Sequence, residues 1–299
     1  MELKKILLPT DFSEAANAAL TEALFLASQY NAELHLLHVV VLYEDDPFNP
    51  EHHFPQADEV FQHLSNVATS EMAKLLDENQ GQVLKIRQHQ VRAVSAAPAI
   101  IEFAVREQID LVVMGGHGRR GLRRFVIGSV AEEVVREAPC PVLTLRRPSS
   151  DDPLAKVENL LVPVDFSDDS AFALGVARGL ARAYQAKLEV VHAVEEPTML
   201  YPYEAFETNM PQIIKKVEDA LAKFVDEDND GDIETRLRVL VGSPARVIAD
   251  HAREIDAGVI VIASHGLSDL ERFLLGSVTN GVVRMADCPV LTLRRPVTS

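Results

Sequence analysis

The sequence predicts an α/β protein built as two doubly wound parallel-sheet domains in tandem. Three observations lead there. Short Val-, Ile- and Leu-rich runs alternate with longer segments of helical character, the pattern of a parallel sheet covered on both faces. The pattern occurs twice: "ILLPTDFSE" (6–14) returns as "LLVPVDFSD" (160–168), "LHLLHVV" (34–40) as "LEVVHAV" (188–194), and "PVLTLRRP" unchanged at 141 and 289. The length of 299 residues suits two domains of about 150, each able to bury its own core.

In the first half the elements follow in order. The apolar run after Lys4 gives a strand near 4–8, and a helix follows near 14–30. "LHLLHVVV" gives a strand near 34–41 and the next helix lies near 57–79. A third strand near 84–91, a helix near 97–108 and the strand "DLVVM" near 110–114 come next. "SVAEEVVRE" is a helix near 129–137, and "PVLTL" closes the domain as a strand near 141–145. The copies are offset by 154 residues at Asp11 and Asp165 and by 148 at Gly128 and Gly276, so one domain is duplicated with few net deletions. The Pro, Ser and Asp cluster in "RRPSSDDPLAKVEN" reads as a linker, which divides the chain into 1–150 and 151–299.

Composition excludes several classes. A chain that is 47% hydrophobic and 25% charged is globular and not disordered. The net charge of −16 and pI near 5.0 disfavour phosphate-backbone binding, so nucleic acid is not an expected partner. No run approaches the roughly 18 apolar residues of a membrane span, and "MELKKILLPTDF" reads as a first strand and not a secretory signal. A cytoplasmic location is the expectation. Cys140 and Cys288 occupy matching places before apolar strands and read as buried thiols.

The chemistry concentrates in "GGHGRRGLRRFVIGS" (115–129) and its counterpart "ASHGLSDLERFLLGS" (263–277). Ligands of such sheets bind at the carboxyl ends of the strands where strand order reverses, which places Asp11, Val39 and Gly115 to Ser129 at one edge. Glycines after a strand let a ligand approach backbone amides, and the first turn of the following helix offers N–H groups and the positive end of its dipole. Phosphate is the natural anion there, and Arg119, Arg120, Arg123 and Arg124 add positive charge. The alternative is that the glycines only make the turn, Ser129 caps the helix and the arginines are solvated. Gly116, Gly118 and Gly121 also satisfy G-x-G-x-x-G, but that fingerprint belongs after the first strand, and the second copy keeps only Gly266 of the three. Both copies retain a glycine, nine residues, then Gly-Ser: Gly118 to Gly128-Ser129 and Gly266 to Gly276-Ser277.

Gly115-x-x-Gly118, nine residues and Gly128-Ser129 resemble the ATP-binding signature of the universal stress protein family, G-2x-G-9x-G-[ST]. "PTDFS" and "PVDFS", the "HV" after the second strand and the "CPVL" before the last are similar to that family too, in both halves. The resemblance implies a tandem member with Rossmann-like, adenine nucleotide alpha hydrolase-like domains. It implies ATP, with or without Mg, as ligand. Asp11 and the backbone of Val39 would then hold adenosine, and Gly115, Gly118, Gly128, Ser129 and Val130 would wrap the ribose and phosphates. The second-half counterparts are Asp165, Gly266, Gly276, Ser277 and Val278. It further implies a pairing of the two domains within the chain, for which "VLTLRRP" is a candidate contact, and leaves a homodimer and protein partners open. The role implied is a regulatory or stress-protective one. A slow ATPase or autokinase using the same pocket and a nucleotide-free scaffold are the alternatives.

The second half departs from the signature at Ala263, and its nine-residue loop carries Asp269, Glu271 and Arg272, net −1 against +4 in the first. Tighter ATP binding at the first site is expected. The structural alternative for Asp11 is an N-cap or turn residue before the first helix. "DEDNDGDIE" (226–234) matches part of a calcium loop through Asp226, Asp228, Asp230, Gly231 and Ile233, but Leu237 stands where the bidentate Glu belongs, so it reads as an acidic turn. His52, His53 and His63 read as a solvated loop, His117 and His265 as phosphate-contacting or loop-packing residues, and His38 and His192 as satisfied core-edge histidines.

Overall fold

A computed structural model describes residues 3–42, 57–78, 85–116, 127–145, 157–195, 203–226, 232–265 and 275–295. The chain divides into two compact units, Glu2–Asp151 and Asp152–Ser299. The first contains β1 (Lys5–Pro9), α1 (Glu14–Tyr30), β2 (Glu33–Val41), α2 (Ala57–Glu78), β3 (Ile86–Ala93), α3 (Ala96–Glu107), β4 (Leu111–Gly115), α4 (Ser129–Glu137) and β5 (Val142–Leu145). Its strands pair in the order β3-β2-β1-β4-β5, all parallel. Lys5 is opposite Glu33 on one side of β1 and Ile6 is opposite Leu111 on the other. The order reverses between β1 and β4, so a crevice opens at the carboxyl ends of those two strands.

The second unit repeats this. Its elements are β6 (Asn159–Pro163), α5 (Asp168–Tyr184), β7 (Lys187–Val194), α6 (Tyr203–Asp226), β8 (Thr235–Val241), α7 (Pro244–Glu254), β9 (Val259–Ala263), α8 (Ser277–Met285) and β10 (Val290–Leu293). The strand order is β8-β7-β6-β9-β10, again parallel throughout.

Central strands are apolar on both faces because helices cover both. Ile6, Leu7 and Leu8 are all buried, as are Leu160, Leu161 and Val162. Each such side chain stabilises its domain by about 1.5–3 kcal/mol. Ser13 caps α1 by accepting a hydrogen bond from the Ala16 N–H, and Ser167 caps α5 through the Ser170 N–H. Both helices end on a left-handed residue, Asn31 and Gln185. On α1, Ala16, Ala19, Ala23 and Ala27 present small side chains that let the helix lie close to the sheet.

One expected boundary moves. β3 runs over Ile86–Ala93 and not 84–91, because its extent follows its pairing with β2, up to Val41 opposite Ala93, and not its own half-polar sequence. Cys140 is buried, and burial pushes its thiol up to about 12. Cys288 is only half-buried, unlike the expectation for both. The calcium-like segment begins where α6 ends at Asp226, while 227–231 lie outside the described residues; Leu237 is a strand residue of β8. Asp232 is held in a two-point ion pair by Arg182, at 2.7 and 3.2 Å. Among the described residues no helix is long and apolar enough to cross a membrane.

Candidate functional site

The site is built first from the chain leaving β1. Thr10 extends the ladder by donating its N–H to the Leu37 carbonyl at 2.8 Å. Asp11 follows, and its Oδ1 accepts the Ser13 N–H at 3.1 Å. The turn role foreseen for Asp11 is therefore present, although Ser13 is the cap itself. Between them Phe12 adopts a left-handed φ of 61°, and Phe166 repeats it at 65° in the second unit. Such a conformation costs an aromatic residue about 1–3 kcal/mol and persists only where the surroundings impose it. Here the Phe12 ring rests on His38, centroids 4.7 Å apart, and Phe166 on His192 at 4.5 Å.

Both histidines fasten the end of β2 or β7 to the neighbouring turn. His38 Nδ1 lies 2.8 Å from the Thr10 carbonyl oxygen, and His192 Nδ1 lies 2.8 Å from that of Val164. A carbonyl only accepts, so Nδ1 carries the proton in both. The core-edge reading of these two residues holds. In the second unit Asp165 Oδ1 accepts the Ser167 N–H at 3.1 Å, as Asp11 does for Ser13.

The glycine loops enter on the other side of the crevice. Gly116 donates its N–H to Leu145 O at 2.7 Å and accepts the Gly128 N–H at 2.7 Å, so the two stems of the loop are pinched together. Ser264 and Gly276 form the same pinch, at 2.7 Å to Leu293 O and 2.8 Å between themselves. Gly128 and Gly276 are the N-caps of α4 and α8, and neither has a side-chain cap bond. Ser129 is thus the first helical residue and not the cap. The opening amides of these helices face the crevice edge with no capping side chain, a setting suited to an anion. Gly118, Gly266, His117 and the arginine cluster lie outside the described residues.

Gly115 has a reason of its own to be glycine. A Cβ there would stand 2.8–2.9 Å from the carbonyl carbon, Cβ and oxygen of Ala15 on α1. The close approach is therefore to the domain's own helix. Ala263 occupies the matching place at 6% exposure, and its carbonyl accepts the Thr279 hydroxyl at 2.7 Å. Ala263 also lines the crevice of the second unit, so the methyl that departs from the family's glycine lies at its wall.

In the second unit the residues enclose a cavity of about 160 Å³, lined among others by Asp165, His192, Ala193, His265, Gly276 and Ser277. Val278 lines it as well. Ala193 stands where Val39 stands in the first unit, 154 residues earlier. His265 is 9% exposed; Ser264 Oγ lies 2.8 Å from its Nδ1, and its buried Nε2 has no hydrogen-bond partner among the described residues. In the first unit Asp11, Val39, Gly115, Gly128, Ser129 and Val130 occupy the corresponding ends of β1, β2 and β4 and the start of α4.

The sequence model of the universal stress protein family matches residues 2–146 and again 156–294. The chain belongs to this family. A universal stress protein of Methanocaldococcus jannaschii is 32% identical over 148 residues, covering 50% of this chain and 85% of the relative. One from Mycobacterium tuberculosis is 29% identical over 199 residues, 66% of this chain and 65% of the relative, so the match spans just under two thirds of that protein. A crystal structure of a universal stress protein from Archaeoglobus fulgidus covers 98% of this chain and 97% of its own at a TM-score of 0.63 and 21% identity. A Pseudomonas aeruginosa protein of unknown function covers 98% and 92% at 0.67 and 19%. Both likenesses concern the fold.

Within this universal stress protein fold, several site residues escaped the sequence reading. Phe12 and Phe166 are visible only as the repeated "DFS", and Ala193 only through the 154-residue offset. A buried group near the start of β2 was also missed. His35 Nε2 lies 2.8 Å from Glu33, which Arg87 also holds at 2.7 Å, and the His35 and His89 rings stack 5.1 Å apart beside Phe103. Burial lowers the pKa of both imidazoles. In the second unit Glu189 takes the strand position and His251, on α7, meets it at 3.1 Å. His63 is exposed on α2, His52 and His53 lie outside the described residues, and no group of three metal-ligating side chains occurs among the described ones.

Proposed function

We propose that this universal stress protein binds ATP, with or without Mg, and that the nucleotide acts as a regulatory ligand more than as a substrate. One observation carries the reading: a glycine loop of family spacing, pinched at its stem, delivers the chain onto the uncapped start of α4 at the point where strand order reverses. In this reading Asp11, fixed by its turn with Ser13, and the backbone of Val39 receive adenosine. The amides from Gly128 to Val130, with Gly115 and Gly118 shaping the approach, receive the phosphates. The arginines at 119, 120, 123 and 124 supply the counter-charge that the −16 chain otherwise lacks. Asp165, Gly266, Gly276, Ser277 and Val278 form the weaker counterpart. Nucleotide bound to the loop would change what the loop presents to partner proteins, a stress-protective or regulatory function exercised in the cytoplasm.

Mass spectrometry of nucleotide carried through purification, followed by calorimetric titration, tests this. Adenine nucleotide at the first domain is the expected result. A chain that neither carries nor takes up adenine nucleotides at millimolar supply is a scaffold, and the proposal fails. Following the bound ATP over time separates a ligand from the substrate of a slow ATPase.

A further inference from the structure

The same three positions of the fold carry different chemistry in the two units. In the first they hold His35 on β2, His89 on β3 and Phe103 on α3; in the second, 154, 149 and 148 residues later, they hold Glu189, Arg238 and His251. The strand registers agree, with Leu37 opposite His89 and Val191 opposite Arg238. We propose that the first set is an acid-sensitive latch, which holds α3 against β2 and β3 at neutral pH and releases it when the histidine pair takes up a proton, and that the second unit replaces it with a contact that mild acid does not open.

Geometry makes the first set intolerant of charge. The His35 and His89 rings stack 5.1 Å apart and within 9° of parallel, and the Phe103 ring meets both edge-on at 6.0 and 4.8 Å. His35 is 1% exposed; its Nδ1 and the buried Nε2 of His89 have no hydrogen-bond partner among the described residues. Charged groups face the pair from each neighbouring element: Lys5 on β1, Glu33 on β2, Arg87 on β3, and Arg106 and Glu107 on α3. Both carboxylates are already engaged. Glu33, 2.8 Å from His35 Nε2, is held by Arg87 at 2.7 Å, and Glu107 meets Arg106 at 3.2 Å. A proton on the pair therefore adds positive charge to a buried site whose anions already have cations, which costs more than the same proton in water. Exposing the rings relieves that cost, and the element that covers them is α3, through Phe103.

The second set inverts this chemistry. His251 lies 3.1 Å from Glu189 through Nε2 and 3.2 Å from Glu254 through Nδ1, and Arg238 stands 3.6 Å from Glu189. A charged imidazole has an N–H for each of the two carboxylates, whereas the neutral ring donates to only one. Mild acid thus leaves α7 fastened while it loosens α3.

Hydrogen exchange of the full chain, followed by mass spectrometry and corrected for the intrinsic rate at each pH, reads the elements separately. From pH 7.5 to 5.5, protection in peptides covering α3 and β3 is expected to fall by about fivefold or more relative to β1, since protons favour the opened state below the ordinary histidine pKa of 6.5. Peptides of α7 and β8 are expected to keep their protection relative to β6. In His35→Gln/His89→Gln, whose amides do not titrate, the change at α3 is expected to vanish. His35→Glu/His89→Arg/Phe103→His, which carries the second unit's set, is expected to lose it as well. Should either variant fail to fold, the other and the wild-type comparison of the two units decide. Protection that falls equally in β1 and α3, falls as far in α7 as in α3, does not change with pH, or falls as in wild type in the folded glutamine variant overturns the proposal.

Discussion

Gly115 and Ala15 touch so closely that no side chain fits between them: a Cβ on Gly115 would lie 2.8 Å from the Ala15 carbonyl carbon and 2.9 Å from its Cβ and oxygen. The strand that carries the glycine loop is thereby seated directly on the first turn of α1, next to Asp11 and Ser13. Gly115→Ala is expected to destabilise the first domain by about 1–3 kcal/mol through overpacking. Scanning calorimetry reads this as a melting temperature several degrees lower. Ala15→Gly in the same chain should not rescue it, since the crowding atoms include the α1 backbone. An unchanged melting temperature would show that the helix yields without strain.

Gly118→Asp and Gly266→Asp separate the two domains. An aspartate in either loop places negative charge near the incoming phosphates, and the first loop has more attraction to lose. ATP titrated into each variant should show the larger loss for Gly118→Asp, by tenfold or more. The remaining first-domain affinity should fall with added salt, because the arginine contribution is screened. A larger loss from Gly266→Asp reverses the assignment.

His35 and His89 make stability depend on pH. Burial is the main cause of both lowered pKa values; Glu33 and Glu107 oppose it at His35, while the neighbouring His35, Arg87 and Arg106 reinforce it at His89. A histidine whose folded pKa lies below its unfolded value of 6.5 takes up more protons in the unfolded chain as pH falls. Stability contributed by the neutral pair is therefore complete above about pH 6.5 and declines below it, towards the lowered folded values. Urea unfolding at pH 7.5 and 5.5 should show this loss in the wild type and a smaller one in His89→Leu. Equal pH dependence in the two would place the effect elsewhere.

Cys140 should resist thiol reagents. With its thiol pushed up to about 12 by burial, little thiolate exists at pH 8, and the side chain is not accessible. Iodoacetamide labelling followed by mass spectrometry should modify Cys288 first, and Cys140 only when denaturant is added. Equal labelling rates in the folded chain would contradict the burial.

Much of the architecture was legible because periodicity and burial are linked. The runs around Ile6, Leu36, Val112 and Leu143 are apolar on both faces, and a strand apolar on both faces lies inside a covered parallel sheet. The start of α1 was legible to within two residues: Asp11 was the N-cap or turn candidate, and the cap is Ser13. At β3 the signal weakened, since "IRQHQVRA" at the sheet edge is half polar and its ends are set by β2. The site was legible in its spacing, glycine to Gly128-Ser129, but not in its conformations. Nothing in "DFS" announces a left-handed phenylalanine, because the ring of His38 that supports Phe12 lies 26 residues away. Gly115 was read as room for a ligand, and its packing reason, the contact with Ala15, exists only after α1 folds back onto β4.

The sequence alone determined the duplicated α/β plan, the family spacing of both loops and the sign of the charge each carries, since all three are properties of residue order. Tertiary structure decided which atoms meet: Phe12 with His38, Gly115 with Ala15, Ser264 with His265, and the pairing of His35 with His89 in one unit against Glu189 with His251 in the other. Contacts between adjacent strands and their covering helices depend on register and depth, and these are fixed only when the whole domain closes around its core.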